Sequence, residues 1–187
     1  VTSRIIERLR ELNIHYLYID DKLSAGIEIE ETIAPLKRME AVKNMTKSFE
    51  NVKKAKRDQA SYVLDQQSKV IGLIVDDIMD AIVNSEEVLM VLTDAYLYDK
   101  YIYQHSFQVA LYSIAIAKEM GYSYEDIRLI GIGAILHDVG KLLISPDILL
   151  KPGNLTDEEY EEMKNHARYG FDLLRNLHSV SLLVAHC

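Results

Sequence analysis

Three histidines and one aspartate carry the chemistry in this sequence. His137 and Asp138 open the run His137-Asp138-Val139-Gly140-Lys141, with His105 thirty-two residues upstream and His166 twenty-nine downstream. A His-Asp pair alone is commonplace. Flanked by two further histidines on segments that read as helices, it offers imidazole nitrogens and a carboxylate that could converge on one divalent ion or on two. Such ligands suit zinc, manganese and iron, and a chain with one cysteine, Cys187, cannot build a thiolate-rich structural zinc site. A carboxylate has two oxygens and can bridge two ions, and paired ions can activate a water and clamp the oxygens of a phosphoryl group. Lys141 would add a cation beside that phosphate. The candidate metal ligands are therefore His105, His137, Asp138 and His166. Asp138 and Lys141 are the catalytic candidates, and Lys141 is also the substrate contact. Taken singly, each histidine reads equally well as an ordinary helix residue, and His137-Asp138 as a hydrogen-bonded pair at a helix end. The joint pattern is what points to metal.

Sequence neighbours share a site only if the helix ends or is distorted between them, and Gly140 supplies that opportunity. Ser123 with Asp126 resembles a capping box opening the helix that runs to His137. Before it, a helix over about 99–120 carries His105 and ends at Gly121, a favoured residue past a helix C-terminus. Gly131 and Gly133 imply close helix packing beside the site, since each costs about 1 kcal/mol relative to alanine in a helix. Pro146 starts a short helical turn, Pro152-Gly153 is a turn, and Thr156-Asp157-Glu158-Glu159 is a stronger capping box. The helix it opens carries His166, and Gly170 is a candidate for its end or bend.

Upstream, Leu36, Met39, Val42, Met45, Phe49 and Val52 predict a helix from Thr32 to about Arg57. Val63, Gln67, Val70/Ile71, Ile74 and Ile78 predict a second over about 61–83, and Ser85 a third over 86–96. The cluster Lys53, Lys54, Lys56 and Arg57 reads as the solvated end of the first, with a partner or nucleotide-sensing patch as the alternative. Residues 3–13 show helical spacing. Residues 15–19 and 27–30 alternate like two short strands around a turn, which gives a small α+β module. The expected class is mainly α, in three parts: a partial module at 1–31, a helical linker or scaffold at 32–98 and an all-helical catalytic domain at 99–187. Val1 already sits in helical pattern, so the chain reads as a fragment of a longer polypeptide.

Composition narrows the partners. The net charge of −8 divides evenly, with 8 basic and 12 acidic residues from Asp99 onward and 13 and 17 before it. An acidic chain without a basic stripe is ill suited to a nucleic-acid polymer, so any phosphate must be held by something other than bulk charge. No run approaches 18 apolar residues, so no membrane span is expected. With no signal pattern and a lone cysteine, the cytoplasm is the default location. A homodimer is compatible with all of this.

The His105…His137-Asp138-Val139-Gly140-Lys141 core resembles the HD superfamily of metal-dependent phosphohydrolases. The run from Ile144 to His166, with Leu149-x-Lys151-Pro152-Gly153-x-Leu155-Thr156, is similar to the HD-GYP branch specifically, and the likeness covers about 99–187. The resemblance implies an all-helical domain, hydrolysis of cyclic di-GMP in bacterial second-messenger signalling, and a di-iron or di-manganese site. It implies ligand roles for His105, His137 and His166, a metal-bridging role for Asp138 and a phosphate-side role for Lys141. Members with a third ion place a glutamate where this chain has Tyr101, which implies two ions. His178 and His186 match no ligand, and Pro152 and Gly153 match a structural turn. The family pattern continues with a His-His pair, an acidic residue, the Gly-Tyr-Pro signature and a further aspartate, all past Cys187, so the resemblance implies a truncated domain. The alternatives are another HD phosphohydrolase acting on a different nucleotide, and a non-catalytic signalling module that binds without cleaving.

Overall fold

The computed structural model describes residues 5–6, 35–83 and 102–187. The chain divides into two compact units, Val1–Glu30 and Glu31–Cys187. In the first, Ile5 and Ile6 are helical and exposed. The strands expected at 15–19 and 27–30, the helix expected at 86–96, and Tyr101 lie outside the described residues. In the second unit every described element is helical.

Helix α1 (Pro35–Lys54) and helix α2 (Ala60–Val83) pack along one another across a short turn. The buried face of α1 runs through Ala41, Met45, Ser48, Phe49 and Val52, while Met39 is 67% exposed. The expected stripe holds at Met45, Phe49 and Val52, with Val42 part-buried; Ala41 and Ser48 complete the face, and Met39 lies outside it. Helix α2 buries Leu64, Ile71, Ile74, Val75, Ile78, Met79 and Ile82. Lys118 Nζ donates to the Ile82 carbonyl at 2.7 Å, filling one of the acceptors left open at the end of α2.

Helix α3 (Ile102–Glu119) ends in a Schellman motif. Gly121 adopts φ 76°, its N–H donates to Lys118 O at 2.9 Å, and Tyr122 N–H donates to Ala117 O at 3.1 Å. Helix α4 (Tyr124–Leu136) then starts on Ser123, whose hydroxyl oxygen accepts from Asp126 N at 3.2 Å. The reciprocal half of a capping box is absent. The aspartate, one methylene shorter than glutamate, accepts instead from the Ser123 hydroxyl at 2.6 Å.

Gly131 through Leu136 are all buried, so α4 is a core helix wedged between α2 and α3. A Cβ on Gly131 would meet Ile114 and Val75 at 2.8 Å, and one on Gly133 would meet Cys187 Sγ at 2.5 Å. Both glycines thus serve the close packing that their cost implies. Arg128 locks α4 to α2 through a two-pronged pair with Asp76, at 2.6 and 3.2 Å.

After α4 come a 3₁₀ turn (Val139–Leu143), helix α5 (Pro146–Leu149), helix α6 (Asp157–Lys164), helix α7 (His166–Leu174) and a final 3₁₀ turn (Leu182–His186). The Thr156 box is complete: Thr156 Oγ1 accepts from Glu159 N, and Glu159 Oε2 accepts from Thr156 N. Lys151 of the Lys-Pro-Gly turn pairs with the same Glu159. One helix from Thr156 past His166 is what the sequence suggests, but the helix breaks at Asn165. There Asn165 N donates to Glu162 O at 3.0 Å, and Nδ2 lies 3.3 Å from Glu161 O and 3.2 Å from Glu162 Oε2. An amide side chain that satisfies local backbone competes with helix continuation. Gly170 does not end α7, which continues to Leu174. Further on, Asp65 accepts from the Ser179 hydroxyl and, at 3.2 Å, from its N–H, which pins the 177–180 segment to α2. None of the described helices is long and apolar enough to cross a membrane.

Candidate metal centre

Leu136 is the last residue of α4, and there the backbone changes course. His137 keeps helical angles (φ −52°, ψ −33°), whereas Asp138 moves to φ −105°, ψ 10° and starts the 3₁₀ turn. Those angles lie in the sparsely populated bridge between helix and strand, where many active-site residues sit. The change of course lets two adjacent side chains face one point.

Gly140 sets the second half of the geometry. A Cβ there would lie 1.9 Å from His166 O and 2.5 Å from Gly170 N, both backbone atoms of α7. Main chain therefore rests on main chain, and the contact brings the start of α7, with His166, against the turn that carries Asp138. Seen from Gly170 the contact is looser, because a Cβ there would find Gly140 N at 3.5 Å.

The four expected ligands and Lys141 come together around the Asp138 carboxylate. Oδ2 lies 2.6 Å from Lys141 Nζ, 3.2 Å from His137 Nε2 and 3.9 Å from His105 Nε2. Oδ1 lies 3.6 Å from His166 Nε2. The His105 and His166 separations exceed hydrogen-bond length. With bonds of about 2 Å, however, donors sharing one ion stand about 3 Å or more apart, which is the spacing seen here. His105, His137 and Asp138 each present a ligand atom within 4.8 Å of the others. His166 faces the second carboxylate oxygen, as a bridging aspartate requires.

The rings are held as well as placed. His137 Nδ1 lies 2.8 Å from the Ala134 carbonyl, and His166 Nδ1 lies 2.6 Å from the Met163 carbonyl. A carbonyl only accepts, so Nδ1 carries the proton in both rings, and Nε2 is the bare nitrogen when the ring is neutral. Such a partner on the far nitrogen is the usual orienting contact of a metal-bound histidine. The His105 and His137 rings meet edge to face, 5.4 Å between centroids.

Electrostatics favours an ionised Asp138. Its partial burial opposes the charge, but hydrogen bonds from His137 and Lys141 and their positive charges outweigh that. The carboxyl is held far below the usual carboxylate range. The same hydrogen bond to Asp138 raises the His137 imidazole above its ordinary value, against the opposing effect of its burial. An aspartate that stays charged, three Nε2 atoms directed at it and two tethered rings form a donor set that fits a divalent ion.

His178 and His186 stand apart from this cluster. The His186 ring lies against Phe171, 5.2 Å between centroids, and His178 adjoins the Asp65–Ser179 pin. Sequence reading alone does not find the tethering carbonyls of Ala134 and Met163, since every residue has a carbonyl. Nor does it find that Arg57 lies over the Tyr169 ring, 4.9 Å from its centroid. The basic cluster around Arg57 was the available signal.

Comparison with known proteins bears on the region that carries this cluster. The family model described as "HD domain" matches residues 102–186. A cyclic di-GMP phosphodiesterase of Pseudomonas aeruginosa is 33% identical over 111 residues, 59% of this chain and 27% of the relative. A cyclic di-GMP phosphodiesterase response regulator of Xanthomonas campestris is 48% identical over 59 residues, 32% of this chain and 16% of the relative. A 3′3′-cGAMP-specific phosphodiesterase of Vibrio cholerae is 40% identical over 73 residues, 39% of this chain and 16% of the relative. The chain thus spans about a quarter or less of the length of these relatives. No solved structure gives a significant match.

Proposed function

We propose that residues 102–186, which match the HD domain family model, form an HD domain of the HD-GYP kind, and that the protein is a metal-dependent phosphodiesterase that hydrolyses cyclic di-GMP. The observation that carries the reading is the convergence of His105, His137 and His166 Nε2 atoms, with Lys141 Nζ, on the two oxygens of Asp138. His105 and His137 on one side and His166 on the other would hold two divalent ions bridged by Asp138. Iron and manganese both accept this ligand set. When bound, such a pair supplies activation of a nucleophilic water and stabilisation of charge on the phosphoryl oxygens.

The chain's own groups do the rest. Asp138, ionised at any physiological pH, brings the negative charge that the ions require. The Ala134 and Met163 carbonyls hold the Nδ1 protons of His137 and His166 and direct Nε2 inward, so that Nε2 is the ligand nitrogen of the neutral ring. Lys141 is the counter-ion of Asp138 at 2.6 Å, which puts an ammonium group beside the carboxylate at the heart of the cluster. Its role is to orient the diester and offset the charge that builds up on it. Backbone contact at Gly140 keeps the two halves of the ligand set in register.

The test is direct. The full-length protein, loaded with manganese or anaerobically with iron, is offered cyclic di-GMP, 3′3′-cGAMP and cyclic di-AMP, and products are separated by chromatography. Hydrolysis of cyclic di-GMP that disappears in Asp138→Ala supports the proposal. A protein carrying metal that cleaves none of the three overturns it. The relatives named for 3′3′-cGAMP make the mixed dinucleotide the alternative substrate.

A further inference from the structure

We infer that Arg57, whose guanidinium lies over the ring of Tyr169, reads the guanine base of the dinucleotide and sets its preference for guanine over adenine. The inference rests on the phosphodiesterase reading above and adds to it a residue outside the metal cluster, contributed by the turn between α1 and α2.

Three observations place Arg57 for this role. Tyr169 follows His166 by three residues on α7, so the two share a side of the helix, roughly 4–5 Å apart along its axis. A guanidinium over the Tyr169 ring therefore flanks the side that faces Asp138. The ring is anchored, since its hydroxyl donates to Glu162 Oε1 at 3.2 Å, and Glu162 also holds Asn165 at the break between α6 and α7. Arg57 itself is exposed and makes no ion pair among the described residues, whereas nearby Lys54 pairs with Glu50.

A guanidinium held by its face on an aromatic ring keeps its in-plane N–H donors free. Those donors form a fork that matches the O6 and N7 acceptors of guanine. Adenine offers N7 but turns an amino donor toward the second prong. In a cyclic dinucleotide each base is joined to the phosphates through its ribose, so a phosphate held at the Asp138 centre leaves a base one sugar away from it. Tyr169 lies one helical turn from His166 and carries Arg57 over its ring, which puts the fork on that side of the centre. Neighbouring Lys53, Lys54 and Lys56 are exposed and have no such platform among the described residues.

The experiment compares cyclic di-GMP with cyclic di-AMP in the full-length, manganese-loaded protein, for wild type, Arg57→Ala and Arg57→Lys. Steady-state hydrolysis gives the ratio of kcat/KM for the two substrates, and equilibrium binding of the same dinucleotides gives the ratio of Kd. Wild type is expected to prefer cyclic di-GMP. Both variants are expected to lose about tenfold or more of that preference, mainly as a raised KM for cyclic di-GMP. Metal content and melting temperature should stay at wild-type values. A lysine keeps the charge but not the fork, so its failure to restore the preference separates base reading from simple attraction. A wild type without preference, an Arg57→Ala variant that keeps it, or an Arg57→Lys variant that restores it overturns the inference. If wild type cleaves neither substrate, the phosphodiesterase reading fails, and the binding ratios still decide the role of Arg57.

Discussion

Replacing Gly140 with alanine is the sharpest available test of how the centre is held together. A Cβ at this position would sit 1.9 Å from His166 O, 2.5 Å from Gly170 N and 2.9 Å from His166 C, and all three are main-chain atoms that no rotamer change can move. Reaching an ordinary 3.4 Å contact requires the turn and α7 to separate by about 1.5 Å. Since His166 Nε2 is 3.6 Å from Asp138 Oδ1, that shift would carry it toward about 5 Å, too far for the two atoms to share an ion at bonds of about 2 Å. Overpacking of this kind costs about 1–3 kcal/mol, and a backbone obstacle belongs at the upper end. For a unit of this size that is a fall in Tm of roughly 5–10 °C.

Gly170→Ala is the matched control. Its Cβ would meet the same contact from the other side at 3.5 Å, an ordinary distance, and alanine gains up to about 1 kcal/mol in a helix interior. Elemental analysis and thermal melts of the two variants should therefore diverge. Gly140→Ala should lose most of its metal and melt lower, while Gly170→Ala should keep its metal and melt at or above wild type. A Gly140→Ala protein with wild-type metal content and Tm, or a Gly170→Ala protein equally damaged, would refute the argument.

Asp138→Ala should lose metal and hydrolysis together, whereas Lys141→Ala should keep its metal and lose about 10²–10³ in turnover, the usual cost of one preorganised donor. Elemental analysis with kinetics of both variants separates ligand from substrate contact. In protein stripped by a chelator, the depressed Asp138 contributes stability that is present above about pH 4 and is lost as pH falls toward its folded value. The raised His137 contributes below about pH 6.5 and loses its share as pH rises through its folded value. The stability advantage of wild type over Asp138→Asn should thus peak between about pH 4 and 6.5, and it should persist in part above that because Lys141 stays paired. Urea midpoints from pH 3 to 9 that show no such peak would count against the pairing. Thr156→Ala should cost about 1 kcal/mol in urea unfolding and Thr156→Ser should restore it, since the hydroxyl caps α6.

The centre was legible in the sequence because its parts are side chains of distinctive chemistry. His105, His137, Asp138, His166 and Lys141 meet around one carboxylate, and the glycines and caps that frame them announce themselves by residue type. What stayed hidden depends on main chain or on long-range register. The tethers at Ala134 and Met163 use carbonyls that any residue would supply. The break at Asn165 turns on a local contest between a side-chain amide and the helix, which no apolar spacing records. In α1 small Ala41 and polar Ser48 are buried while Met39 is exposed, so the apolar stripe alone assigns Met39 to the wrong side. Arg57 meets Tyr169 only because the folded unit brings the α1–α2 turn to α7.

The two tethers have a second consequence, for folding instead of orientation. Ala134 belongs to the last turn of α4 and Met163 to the last turn of α6, where carbonyls have no partner within the helix. Each imidazole N–H therefore closes the end of the helix that precedes its own ring. Both rings are consequently oriented by the ends of ordinary helices as well as by anything they bind. The corollary bears on mutagenesis. Removing His137 or His166 frays a helix terminus as well as deleting a donor, so its effects on stability and on metal uptake come mixed.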